Sequence, residues 1–211
     1  MNELEIKTIS DKKLLNRLYK KEAPKFFETA SFGFFVYLMT DLVLFASLFA
    51  VYAVLEANTF GGPSGQQIFN LNNVLIETLA LLTSSFTMGL AILSMKKGHR
   101  NKVLFYLVIS FLLGAVFLTI EMNEFSHLIA IGDSWRRSGF LSAFFVLVGT
   151  HGLHITVGLI WMAIMFFKVL KSGLSESNTR RLTLMSMFWH FLDIVWIFIF
   201  TIVYLYGVLG L

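Results

Sequence analysis

A chain of 211 residues that is 56% hydrophobic, with 23 Phe and a mean hydropathy of +0.73, cannot hide its apolar surface inside a water-soluble domain and reads as a polytopic membrane protein. Its formal net charge of +4 does not mark a nucleic-acid binder, because the basic residues cluster between apolar runs, where membrane topology accounts for them. Cysteine is absent, which excludes disulfides, iron–sulfur clusters and thiolate metal sites.

Residues 1–30 form a charged segment with seven basic residues: Lys7, Lys12, Lys13, Arg17, Lys20, Lys21 and Lys25. Its charged part is too long for a secretory signal peptide, and no small-residue cleavage site follows. Leu14, Leu15 and Leu18 among the lysines fit either a short amphipathic surface helix or a solvated tail.

Residues 31–211 carry five apolar stretches, each reaching the length of about 20 residues that a helix needs to cross a bilayer. They fall at 31–56, 71–95, 103–130, 140–168 and 182–208. The third is long for one crossing and implies tilt or extension past the headgroups. A turn-rich loop, Asn58 to Asn70 with Gly61-Gly-Pro-Ser-Gly65, separates the first two. The other connections are short, so neighbouring helices run antiparallel in one bundle. The spans lack proline and the alternating segments of a barrel, so the fold class is all-α.

Fifteen of the seventeen basic residues sit in the N-terminal segment, in the second loop (Lys96, Lys97, Arg100, Lys102) and at the fourth boundary (Lys168, Lys171, Arg180, Arg181). Only Arg136 and Arg137 lie on the other side. The positive-inside rule therefore predicts a cytoplasmic N-terminus and, after five spans, an external C-terminus. No internal repeat or paired broken helix is visible, which lowers a secondary-transporter reading.

The ionisable residues inside the spans need an explanation, since a charge at the bilayer centre costs roughly 2.5–3.5 kcal/mol. At 1.5 Å per residue, Asp41 lies about 15 Å from the cytoplasmic edge. Asp193, His190 and His154 also reach mid-membrane. Glu77, Glu121, Glu124 and His127 sit nearer the outer face, and His151 falls between the two groups. Helical spacing puts His190 beside Asp193, His151 beside His154, and Glu121 beside Glu124. Trp189 and Trp196, seven apart, share a face.

Three readings compete for these side chains. They can be hydrogen-bonded glue between helices, metal ligands, or groups that handle protons or lipid headgroups. The metal reading is the weakest. One His-x-x-His, His151-Gly-Leu-His154, supplies two donors where three or four must converge, and no Glu follows the first His as in a zinc protease. Gly149, Gly152 and Gly158, with Ser142, allow close approach to the fourth span, foremost as packing inside the bundle.

The segments Ser138-Gly-Phe-Leu-Ser-Ala-Phe-Phe145, Gly149-Thr-His-Gly-Leu-His-Ile-Thr-Val-Gly158 and Trp189-His-Phe-Leu-Asp-Ile-Val-Trp196 resemble subunit III of the haem–copper respiratory oxidases. Tyr37-Leu-Met-Thr-Asp-Leu-Val-Leu-Phe45 and the loop Gly61–Gly65 are similar to the bacterial cytochrome bo-type ubiquinol oxidase branch. The resemblance covers about residues 30 to 208 and excludes the charged N-terminal segment. It implies a multi-pass subunit of a bacterial cytoplasmic-membrane, proton-pumping quinol oxidase, in the five-helix form that lacks the first two helices of the cytochrome c oxidase relatives.

In that family this subunit binds no haem and no copper. Those sit in subunit I, against which subunit III packs directly, within a complex that also contains subunits II and IV. The resemblance further implies support of proton uptake and a phospholipid held between helix groups. Asp41 matches a position where relatives often carry Glu. His151, His154, His190 and Asp193 match motif positions, with structural or lipid-contacting roles expected. Two alternatives stay open: subunit III of a cytochrome c oxidase, and a stand-alone proton or ion carrier using Asp41 and Asp193.

Overall fold

The computed structural model describes the backbone of residues 3–209 and the side chains of 29–209. Two compact units divide the chain at 40/41. The first contains most of helix α1, Glu3–Leu55. The amphipathic-face reading of Leu14, Leu15 and Leu18 falls outside the residues whose side chains are described.

The second unit, residues 41–211, holds the rest of α1, the single turn α2 (Gly65–Ile68), and the long helices α3 (Leu71–Lys96), α4 (Arg100–Ala130), α5 (Gly139–Ser172) and α6 (Glu176–Ile199). Helix α6 runs on through a π-helical segment, Phe200–Leu205, into α7 (Tyr206–Leu209). No strand occurs among the described residues. Five helical stretches are long and apolar enough to span a membrane: Thr29–Leu55, Leu71–Lys96, Arg100–Ala130, Gly139–Ser172 and Glu176–Leu209. The all-α, five-span architecture is therefore the one expected.

Helix starts follow capping chemistry. Asn70 accepts from the Asn72 N–H at 3.1 Å, Ser138 from Leu141 at 3.1 Å and Ser175 from Asn178 at 3.3 Å, each satisfying a donor that the first turn cannot pair internally. The fifth span accordingly begins at Glu176 rather than 182. Its polar first turn, where Arg180 pairs with Glu176, is helical although it is not apolar. Gly98 (φ 74°) and Gly173 (φ 65°) turn the chain after α3 and α5, a left-handed conformation that costs glycine nothing.

Loops 57–70 and 131–138 share one end of the unit, called here the glycine-loop end. Loops 97–99 and 173–175 share the basic-loop end. Helix α4 packs along α3 and α5, and α6 packs on α5 and α3. The core is aromatic and lies among α3, α4, α5 and α6, with Phe117, Phe144, Trp189, Trp196 and Tyr204 fully or almost fully buried.

Candidate functional site

Two tryptophans lock α6 onto α3. The Trp189 indole N–H donates to Ser84 Oγ at 3.1 Å, and that of Trp196 to Thr78 Oγ1 at 3.0 Å. Ser84 in turn donates to the Ser110 carbonyl (2.9 Å), while Ser110 Oγ lies 2.7 Å from Thr87 Oγ1 and donates to the Ser84 carbonyl (3.1 Å). Each buried indole thus finds the acceptor it needs in an apolar setting. The benzene edge of Trp189 fits where two glycines leave room: a Cβ at Gly114 would sit 2.8 Å from its Cη2, and one at Gly158 2.9 Å from its Cζ3.

The ionisable residues fall into three groups on this frame. In the first, Asp41 of α1 faces α5. His154 Nδ1 lies 2.7 Å from the Thr150 carbonyl; a carbonyl only accepts, so Nδ1 carries a hydrogen. His154 Nε2 then turns toward Asp41 Oδ2 at 3.9 Å, beyond a direct hydrogen bond. His151, one turn away, is completely buried and makes no hydrogen bond through either ring nitrogen. It stacks on Trp196 (5.3 Å, 28°) and meets Phe117 edge-on (5.8 Å, 88°).

In the second group, His190 Nδ1 lies 2.6 Å from Ser85 Oγ, and Asp193, three residues on along α6, lies within electrostatic reach of His190. This cluster ties α6 to α3. The third group lies toward the glycine-loop end. Glu77 of α3 is fully buried with neither carboxyl oxygen paired. Glu121 and Glu124 of α4 lie within electrostatic reach of it. Glu121 Oε1 occupies the space beside Gly152, 2.7 Å from where a Cβ would stand. Tyr204 donates its hydroxyl to Glu124 Oε2 at 3.3 Å. Glu124 and His127 line a cavity of about 570 Å³ with Asn70, Asn73 and Asn123.

The mid-plane residues expected together therefore form two pairs in space. Asp41 meets His154, and His190 meets Asp193; no hydrogen bond or ion pair among the described residues joins the pairs. The outer acids Glu77, Glu121 and Glu124 do come together. Of the three glycines, Gly152 and Gly158 each receive a side chain, whereas Gly149 makes ordinary contact with Phe125 at 3.6 Å.

Sequence reasoning passed over Ser85, the Ser84–Ser110–Thr87 hydroxyls, Gly114 and Tyr204. The first set had a signal, the run Thr83-Ser84-Ser85 and Thr87 in an otherwise apolar span. Tyr204 had none, because the π-helical segment that aims it has no pattern in the residues. No group of three or more His, Asp or Glu with metal-binding geometry occurs among the described residues. The histidines instead face a carbonyl, a serine and aromatic rings.

Residues 19–208 match the family model described as cytochrome c oxidase subunit III, and the chain belongs to that family. It is 58% identical over 177 residues to a cytochrome bo(3) ubiquinol oxidase subunit 3 of Pseudomonas putida, covering 84% of this chain and 86% of the relative. It is 56% identical over 178 residues to the protein of the same name in Pseudomonas aeruginosa, covering 84% and 85%. A cytochrome c oxidase subunit 3 of Bacillus sp. strain PS3 is 44% identical over 178 residues, covering 84% and 86%. Chains of similar length thus carry both names. The chain is a multi-pass membrane protein, and its relatives are subunits of bacterial terminal oxidase complexes of the respiratory chain.

Proposed function

We propose that this chain is subunit III of a proton-pumping ubiquinol oxidase in the bacterial cytoplasmic membrane, with its N-terminus in the cytoplasm and its C-terminus outside. The observation that carries the reading is the identity of 58% over most of both chains to a protein named for ubiquinol oxidation, against 44% to one named for cytochrome c oxidation. The chain itself holds no redox centre. Haem and copper belong to subunit I, on which it packs beside subunits II and IV, and it holds phospholipid against its helices.

The site geometry supports a structural and protonic role. Asp41 and His154 pair across α1 and α5 at mid-span. A carboxyl and an imidazole this close together suit support of proton uptake by the neighbouring subunit. His190 fastens α6 to α3 through Ser85, with Asp193 beside it on α6. His151 packs as an aromatic ring in the core.

Purification in mild detergent tests this reading. The chain should co-isolate with a larger haem-bearing subunit, and the complex should oxidise a ubiquinol. Oxidation of cytochrome c alone would move the chain to the cytochrome c oxidase branch. Isolation without a haem-bearing partner, with proton flux in liposomes holding this chain only, would establish a stand-alone carrier instead.

A further inference from the structure

We propose that Glu77, Glu121 and Glu124, with Tyr204, form a buried proton-binding site that fills and empties through the cavity at the glycine-loop end. The three carboxyls come from two helices and lie within electrostatic reach of one another, with Glu77 and Glu121 almost wholly buried. Both oxygens of Glu77 and Oε2 of Glu121 have no hydrogen-bond partner among the described residues. An ionised carboxylate left so would be strongly unfavourable, whereas its protonated form carries no buried charge.

The groups facing the cluster leave protons as its counter-charge. From α3 comes Glu77; from α4, Glu121, Glu124 and, across the cavity, His127. From α5 comes the backbone of Gly152 beside Glu121, while the neighbouring His151 ring stacks on Trp196 and meets Phe117. From the π-helical segment comes Tyr204, itself a donor. No ion pair among the described residues includes any of the three acids. Like charges within electrostatic reach oppose one another's ionisation.

The route is set by Glu124. It accepts from Tyr204 on one side and lines the cavity with Asn70, Asn73, Asn123 and His127 on the other. It is the only one of the three acids that does so, which makes it the entry residue and Glu77 and Glu121 the inner store. Glycine at position 152 is part of the site, because a Cβ there would displace the Glu121 carboxyl.

The test is infrared difference spectroscopy on the assembled oxidase in nanodiscs, with a pH step and with transfer to heavy water. The wild type should show a carboxylic-acid carbonyl band that changes with pH. Glu77→Gln and Glu124→Gln should each remove part of it, and Asn73→Leu, which plugs the cavity, should slow its hydrogen–deuterium exchange at least tenfold. Identical spectra for wild type, Glu77→Gln and Glu124→Gln would overturn the site, and unchanged exchange in Asn73→Leu would overturn the route. Should the Glu→Gln variants fail to assemble, the wild-type band and its Asn73→Leu kinetics decide alone. The outcome does not depend on whether the complex oxidises quinol or cytochrome c.

Discussion

Replacing Gly114 by Ala tests the idea that Trp189 is wedged between two glycines. The added Cβ would lie 2.8 Å from Trp189 Cη2, 2.9 Å from Cζ2 and 3.0 Å from Leu159 Cδ2. The indole cannot simply slide away. Gly158 already stands against its Cζ3 and Cε3, and its N–H is tied to Ser84. Overpacking a filled core costs about 1–3 kcal/mol, and weakening the Ser84 bond adds about 0.6 kcal/mol. Better helix propensity returns about 1 kcal/mol.

The net loss is about 0.6–2.6 kcal/mol, equivalent to a fall of about 1–10 °C in the melting temperature of a chain this size. The assay is thermal denaturation of the detergent-solubilised complex, with retention of this subunit as a second readout. Gly89→Ala is the control: nothing lies within 4 Å of its added Cβ, so it should be neutral or slightly stabilising. A Gly114→Ala/Trp189→Phe double variant should lose less than the sum of its parts, since the smaller ring relieves the clash. If Gly114→Ala and Gly89→Ala melt together, the wedge has no energetic weight.

Further predictions concern the polar contacts. Ser84→Ala leaves the Trp189 N–H without its acceptor and should destabilise the complex by about 1–3 kcal/mol; thermal denaturation indistinguishable from wild type would show that the indole finds another partner. Asp193→Leu should cost only about 0.6 kcal/mol, because the His190–Ser85 contact survives it; its check is subunit retention after heating, and complete loss of assembly would mean a larger role. Asp41→Asn should leave assembly intact while lowering the pumping ratio or hastening turnover-dependent inactivation, measured in proteoliposomes. An unchanged ratio and lifetime would remove Asp41 from proton handling.

Much of the architecture was legible because hydropathy and capping act locally. The span of α3, for example, needs only an apolar run after Asn70, and the structure starts the helix at Leu71. The fifth span was placed late because hydropathy sees the apolar part of a helix, while Ser175 and the Glu176–Arg180 pair begin it earlier. Pairings within one helix, such as His190 with Asp193, follow from 3.6 residues per turn. Pairings between helices do not. Nothing in the residues says that Asp41 meets His154 rather than Asp193, because that depends on which faces the helices turn to each other.

The sequence by itself determined an all-α membrane chain of five spans, the positions of its buried acids and histidines along each helix, and, through several ordered motifs, its family. These depend on composition, periodicity and short segments. Only the tertiary structure decided the partners. It sorted the mid-plane residues into an Asp41–His154 pair and a His190–Asp193–Ser85 cluster. It turned Gly114 and Gly158 into the walls of a tryptophan slot. Through a π-helical segment with no sequence signature, it brought Tyr204 to the carboxyl cluster. The physical reason is that helix formation is governed by neighbours in the chain, whereas helix rotation and register are fixed by side chains that meet only after folding.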